Sequence, residues 1–141
     1  MGRVASNAPR FRLSAPPPVR EHPLQEQIAK LLAIEIAPAG KVSARGVVWF
    51  AVDVAMFFGA IPGAGRGIVD GLPDLWFLYA GRAYLIELKA ADGELSEAQK
   101  AFIAAGLCSA VHVGVACTTD QVLALLDAWG VPRNQRVRVA A

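Results

Sequence analysis

At 141 residues the chain is one domain by length and long enough to bury a substantial core. Its 55% hydrophobic and 18% charged content is apolar for a monomer, so either the core is large or apolar surface meets a second copy in a homodimer. The net charge of +2 hides an asymmetry, because residues 1–20 and 133–141 carry arginines without any acid, whereas residues 21–132 hold seven basic residues against all 12 acids. That acidic middle argues against a nucleic-acid partner unless a metal ion neutralises some of its carboxylates.

Residues 1–20 form a basic arm in which Pro9, Pro16, Pro17 and Pro18 block helix, so an extended or disordered segment is expected. Arg3, Arg10, Arg12 and Arg20 could make salt-sensitive phosphate contacts or serve only as a solvated tail. The arm has no apolar stretch of the kind that directs export. With only Cys108 and Cys117, no disulfide framework emerges either, which favours the cytoplasm.

Residues 21 to about 36 are predicted to form the first helix, with Leu24, Ile28, Leu31, Leu32 and Glu35 marking its faces. Ala37-Pro38-Ala39-Gly40 ends it. Residues 47–52 read as a strand. The apolar run continues to Ile61, but Asp53 interrupts it and the length falls short of the ~20 residues a membrane-spanning helix needs, so no membrane partner is expected. The glycine-rich loop at residues 61–67 lacks the Lys-Ser/Thr of a nucleotide-binding loop. Its glycines are plain turn formers or let a polyanion approach, with Arg66 touching phosphate.

Next come two apolar and aromatic runs, Leu75-Trp76-Phe77-Leu78-Tyr79 and Ala83-Tyr84-Leu85-Ile86, separated by a Gly-containing break; together they predict a β-hairpin. With Ala80 and Gly81 at its tip, paired residues have numbers that sum to 161, which sets Asp74 opposite Glu87. Directly opposed residues have Cβ atoms roughly 4.5–5.5 Å apart. Lys89, two residues beyond Glu87, shares its face. Ionised carboxylates this close repel unless a cation stands between them. A hard divalent ion such as Mg²⁺ takes oxygen ligands and keeps several waters, which suits two carboxylates on rigid strands. A metal-activated water attacking a phosphodiester is one natural use of these parts. The structural alternative is a turn capped by Asp74 and a surface ion pair between Glu87 and Lys89. Against it stands the nearly continuous apolar run around Glu87, which reads as a strand buried on both faces, where a charge is costly without partners.

Downstream, Ser96 to about Gly106 is expected to be helical, with Ala98, Phe102 and Ala105 inward. Ser96-Glu97-Ala98-Gln99 is a capping box, which explains Gln99 by itself, although a capped helix start beside Glu87 would also bring polar groups towards that carboxylate. Residues 111–116 should form a strand, and Thr119 to about Trp129 a last helix stopped by Gly130-Val131-Pro132. Cys108, His112 and Cys117 lack the spacing and the fourth partner of a zinc site, and the two cysteines read as small thiols near a core strand.

Gly71-Leu72-Pro73-Asp74-Leu75, Glu87-Leu88-Lys89 and Leu95-Ser96-Glu97-Ala98-Gln99, in that order around a hairpin, resemble the PD-(D/E)XK nuclease superfamily. The nearer likeness is to its virus-type replication-repair nuclease (VRR-NUC) domains, often found as small phage or bacterial proteins, and it covers roughly residues 21–132. The resemblance implies an α/β fold with a restriction-endonuclease-like core, a mixed sheet flanked by helices. It implies that Asp74, Glu87 and the main-chain carbonyl of Leu88 hold Mg²⁺ or Mn²⁺, that Lys89 is the catalytic lysine, and that Gln99 supports the site. It also implies a glutamate near the metal on the first helix. Glu21 fits that position best and Glu26 is the rival, although an acid there is also favoured simply by the helix N-terminus. The function expected is endonucleolytic cleavage of DNA, on branched or structured forms such as junctions or flaps. Arg66, Arg82 and Arg133 are the candidate DNA contacts, within a scheme of basic arm (1–20), nuclease domain (21–132) and basic tail (133–141). The alternative is a non-catalytic DNA-binding or assembly protein that keeps the fold.

Overall fold

The computed structural model of the protein describes residues 21–52 and 71–134. The N-terminal arm, the apolar run beyond residue 52, the glycine loop with Arg66 and residues 135–141 of the tail lie outside the described residues, as does the side chain of Glu21. The elements are α1 (Glu21–Glu35), β1 (Val48–Ala51), β2 (Leu75–Tyr79), β3 (Arg82–Leu88), α2 (Glu97–Cys108), β4 (His112–Ala116) and α3 (Thr119–Trp129). They build an α/β fold in which a four-stranded mixed sheet, ordered β1-β2-β3-β4, is flanked by three helices. The first three strands run antiparallel, and β4 lies parallel to β3 after the crossover through α2.

The hairpin forms as its sequence dictates. Ala80 (φ 50°) and Gly81 (φ 76°) both sit in the left-handed region, the two-residue turn geometry whose twist matches the flanking strands. That turn fixes the register, with Leu75 opposite Ile86 and Phe77 opposite Tyr84, so paired residue numbers sum to 161 as expected.

Strand alternation then distributes side chains between two layers. Leu75, Phe77, Tyr84, Ile86 and Leu88 join Ile28 and Leu32 of α1 and Val122 and Leu126 of α3 in one apolar cluster. Burying each such side chain contributes about 1.5–3 kcal/mol. Leu85 and Glu87 face the other way, towards α2. Strand β4 shows the same division: Gly114 lies hard against Leu125 of α3, whereas its neighbour Val113 meets Gly106 of α2. Thus α1 and α3 cover one face of the sheet and α2 the other. Helix α2 has no fully buried residue, with Ala98, Phe102 and Ile103 half-buried.

Several expectations need correction. Helix α2 runs past Gly106 to Cys108, because Gly106 is there for close packing: a Cβ on it would come within 2.8 Å of Val113. Ala105 is exposed, and only Ala98 and Phe102 of the three inward candidates are half-buried. Cys108 lies exposed at the helix end, while Cys117 is half-buried. His112 is a packing residue, stacked on Tyr84 with ring centroids 4.9 Å apart and tilted against Trp129. No helix among the described residues is long and apolar enough to cross a membrane.

A polar latch joins the end of α3 to the end of α1. Arg133 donates to Asp127 through Nε (2.8 Å) and Nη2 (2.7 Å), and to Glu35 through Nη1 (2.7 Å). Glu35, which is 3% exposed, is thereby a buried ion-pair partner on α1. The hydrogen bonds from Arg133 hold Asp127 below the usual carboxylate range, with burial opposing them. The bonds from Asp127 raise Arg133 in turn. Asn134 completes the latch by donating its side-chain amide to the carbonyl of Ile34 at 2.8 Å.

Candidate metal centre

The two carboxylate-bearing segments meet at the open end of the hairpin. Asp74 immediately precedes β2, and its carbonyl accepts from the Val52 N–H at 2.8 Å, which extends the β1–β2 pairing to this residue. Its Oδ2 accepts from the Leu88 N–H at 2.8 Å, so the side chain bridges to β3 where the main-chain ladder has stopped. The indole of Trp76 braces the same turn by donating to the Pro73 carbonyl at 3.1 Å. Asp74 therefore stands beside the Glu87–Leu88 peptide, as the register predicts.

Glu87 lies where β3 is covered on both faces. It is 2% exposed within Tyr84–Leu88, all of which are buried. A carboxylate there requires compensation. Part of it comes from Lys89, whose Nζ lies 3.8 Å from Glu87 Oε1, with the two side chains 11% and 3% exposed. The Lys89 N–H continues the parallel ladder to the Ala116 carbonyl at 3.0 Å, which fixes the lysine backbone. A surface ion pair, the structural alternative raised by the sequence, does not describe two side chains this deeply buried.

The other part comes from α2. Gln99 Nε2 donates to Glu87 Oε1 at 2.5 Å. The same side chain completes the capping box: Gln99 Oε1 accepts from the Ser96 N–H at 2.9 Å, while Ser96 Oγ accepts from the Gln99 N–H at 3.1 Å. Capping and site support are therefore not rivals, because the amide oxygen performs one and the nitrogen the other.

Gly71 locks this corner together. Its φ of +82° is one that L side chains rarely adopt, and an added Cβ would lie 2.5 Å from the Ala98 carbonyl carbon and 2.7 Å from the Gln99 nitrogen. The segment leading to Asp74 thus packs backbone to backbone against the first turn of α2. In the sequence Gly71 stands only as the first residue of Gly71-Leu72-Pro73-Asp74-Leu75. A glycine just ahead of Pro-Asp was the available signal.

The remaining candidates are dispersed. Arg82 is exposed beside the hairpin tip, five residues along β3 from Glu87, which at a rise of about 3.3 Å per residue leaves them roughly 16 Å apart. Arg133 is engaged in the α1–α3 latch on the opposite face of the sheet from Gln99. Glu26 is exposed on α1, and Glu21 begins that helix with its side chain outside the described residues.

The donor set has a definite chemical character. Asp74 just ahead of β2, and Glu87 and the Leu88 carbonyl on β3, are all hard oxygen donors, with a cation and an amide at Glu87. Among the described residues no group of three or more His, Cys, Asp or Glu gathers. Two carboxylates with a peptide carbonyl fit an ion that keeps much of its water, as Mg²⁺ does, and do not resemble the all-protein ligand sets of structural zinc. No family model, curated protein or solved structure matches this chain.

Proposed function

We propose that the chain is a metal-dependent deoxyribonuclease of the VRR-NUC type, with a restriction-endonuclease-like core, that hydrolyses phosphodiesters in branched or structured DNA. One observation carries the reading. Glu87, buried in a doubly covered strand, has Lys89 at 3.8 Å and Gln99 of α2 on its carboxylate, while Asp74 reaches across the hairpin to the adjoining Leu88 N–H. Burying so many polar groups at one sheet end costs stability that an apolar repacking would avoid, and such clusters concentrate at functional sites.

In this reading Asp74, Glu87 and the Leu88 carbonyl hold Mg²⁺ or Mn²⁺. When bound, the ion supplies an activated water and offsets charge on the phosphoryl oxygens. Gln99 fixes the rotation of the Glu87 carboxylate. The Lys89 ammonium shares the Glu87 oxygen and stabilises negative charge where the water attacks. Arginines of the two basic termini draw in the polyanion, a contact that weakens as salt rises. The 55% hydrophobic content, together with exposed Leu78, Leu107 and Val115, supports a homodimer.

The test is cleavage of supercoiled plasmid and of a four-way junction in Mg²⁺, Mn²⁺ or EDTA, by the native protein and by Asp74→Ala and Lys89→Ala. Cutting is expected with either metal, and each substitution should lower its rate by about 10²-fold or more. Cutting that survives EDTA or Asp74→Ala sinks the metal mechanism. DNA binding without cutting in either metal would instead favour the non-catalytic assembly role.

A further inference from the structure

We propose that Ser96 is a positioning residue for Glu87, acting through the amide of Gln99. The proposal rests on the nuclease reading of the Asp74, Glu87 and Lys89 site and adds a residue that the motifs themselves leave as a helix cap. A glutamine amide has an acceptor end and a donor end, and only the donor end can serve a carboxylate. The Ser96 N–H donates to Gln99 Oε1 at 2.9 Å, and Gln99 Nε2 donates to Glu87 Oε1. Reversing the amide would set its NH₂ against the Ser96 N–H and its oxygen against the carboxylate, two like-with-like encounters. The main-chain N–H of Ser96 therefore selects the orientation in which Gln99 points a donor at Glu87.

This role belongs to the Ser96 N–H, whereas the Gln99 N–H is capped by the Ser96 hydroxyl, so the two bonds can be removed separately. Ser96→Ala removes the hydroxyl and keeps the N–H. Ser96→Pro removes both, and the Ser96 φ of −67° is the value a proline ring imposes. Both variants lose the hydroxyl cap and only Ser96→Pro loses the N–H bond to Gln99, so Ser96→Ala is the control for the hydroxyl. The side-chain amide resonances of Gln99, followed by NMR, should stay near their native positions in Ser96→Ala and move to those of a solvated glutamine in Ser96→Pro. Calorimetric titration with Mn²⁺ alone should show binding about tenfold weaker in Ser96→Pro than in Ser96→Ala, the loss expected when a charge-assisted hydrogen bond is undone. Identical Gln99 resonances in the two variants would overturn the proposal. Should Ser96→Pro fail to fold, amide exchange decides: the native Ser96 N–H must exchange slowly and Gln99→Met must accelerate it, and fast exchange in the native protein overturns the assignment. If the native protein takes up no Mn²⁺ and cuts no plasmid, the nuclease reading fails, while the resonances still report whether Ser96 orients Gln99.

Discussion

Gly71→Ala probes the corner where the Asp74 segment meets α2. The added methyl would lie 2.5 Å from the Ala98 carbonyl carbon, and ordinary contact begins at 3.4 Å, so one side must retreat by about 0.9 Å. Moving the first turn of α2 by that amount stretches the 2.5 Å bond from Gln99 to Glu87 to about 3.4 Å, the margin of hydrogen bonding. Two costs add: about 1–2 kcal/mol for a left-handed alanine and about 1–3 kcal/mol for overpacking. Gly46→Ala is the internal control, since Gly46 has the same φ of +82° but nothing within 4 Å of an added Cβ. It should cost the conformational part alone. Urea unfolding should therefore place Gly71→Ala about 1–3 kcal/mol below Gly46→Ala, or roughly 4–10 °C in Tm for a domain of this size. Plasmid cutting should fall by about 10²-fold in Gly71→Ala, because a displacement near 1 Å misaligns the reacting groups, and remain native in Gly46→Ala. Equal stability of the two variants would refute the close approach, and native cutting by Gly71→Ala would refute its link to the site.

Two further outcomes follow from local geometry. Ala80 adopts φ 50° in the hairpin turn, so Ala80→Asn should stabilise the protein by about 0.5–1 kcal/mol and raise Tm by a few degrees in calorimetry; no rise would mean the turn differs in solution. Asp127 has its carboxyl held below the ordinary 3.8 by Arg133, so its contribution is complete above that value and is lost as pH falls through the depressed folded value. With Asp127 56% exposed, the contribution is at most about 1 kcal/mol. Urea midpoints of the native protein and Asp127→Asn should differ at neutral pH and converge in acid, and a gap that widens on acidification would contradict this.

The hairpin was legible in the sequence because its determinants are local. A two-residue turn containing glycine sets which residues face each other, and period-two alternation sets which face they share, so Asp74, Glu87 and Lys89 could be brought together by counting. The last helix was equally legible, since Gly130 in the left-handed conformation ends it where a glycine stop was expected. Gly106 shows where such local rules mislead: a glycine near a helix end reads as a stop, but here Val113 of the neighbouring strand requires its missing side chain, and the helix continues.

What lay beyond the sequence involves partners distant along the chain. Arg133 reads as a basic tail residue open to DNA, yet Glu35, 98 positions earlier, and Asp127 take up its donors once α1 and α3 share a face of the sheet. Gln99 reads as a cap and, by resemblance, as a support for the site, and the seating of α2 over β3 is what turns its nitrogen onto Glu87. The sequence by itself determined the order of elements, the hairpin register and the three polar residues at its open end, because turn chemistry and strand alternation act over a few residues. The tertiary structure alone decided that Gly71 abuts the first turn of α2 and that one glutamine both caps a helix and holds a buried carboxylate. Those contacts depend on how a helix packs across a sheet, which no short-range pattern encodes.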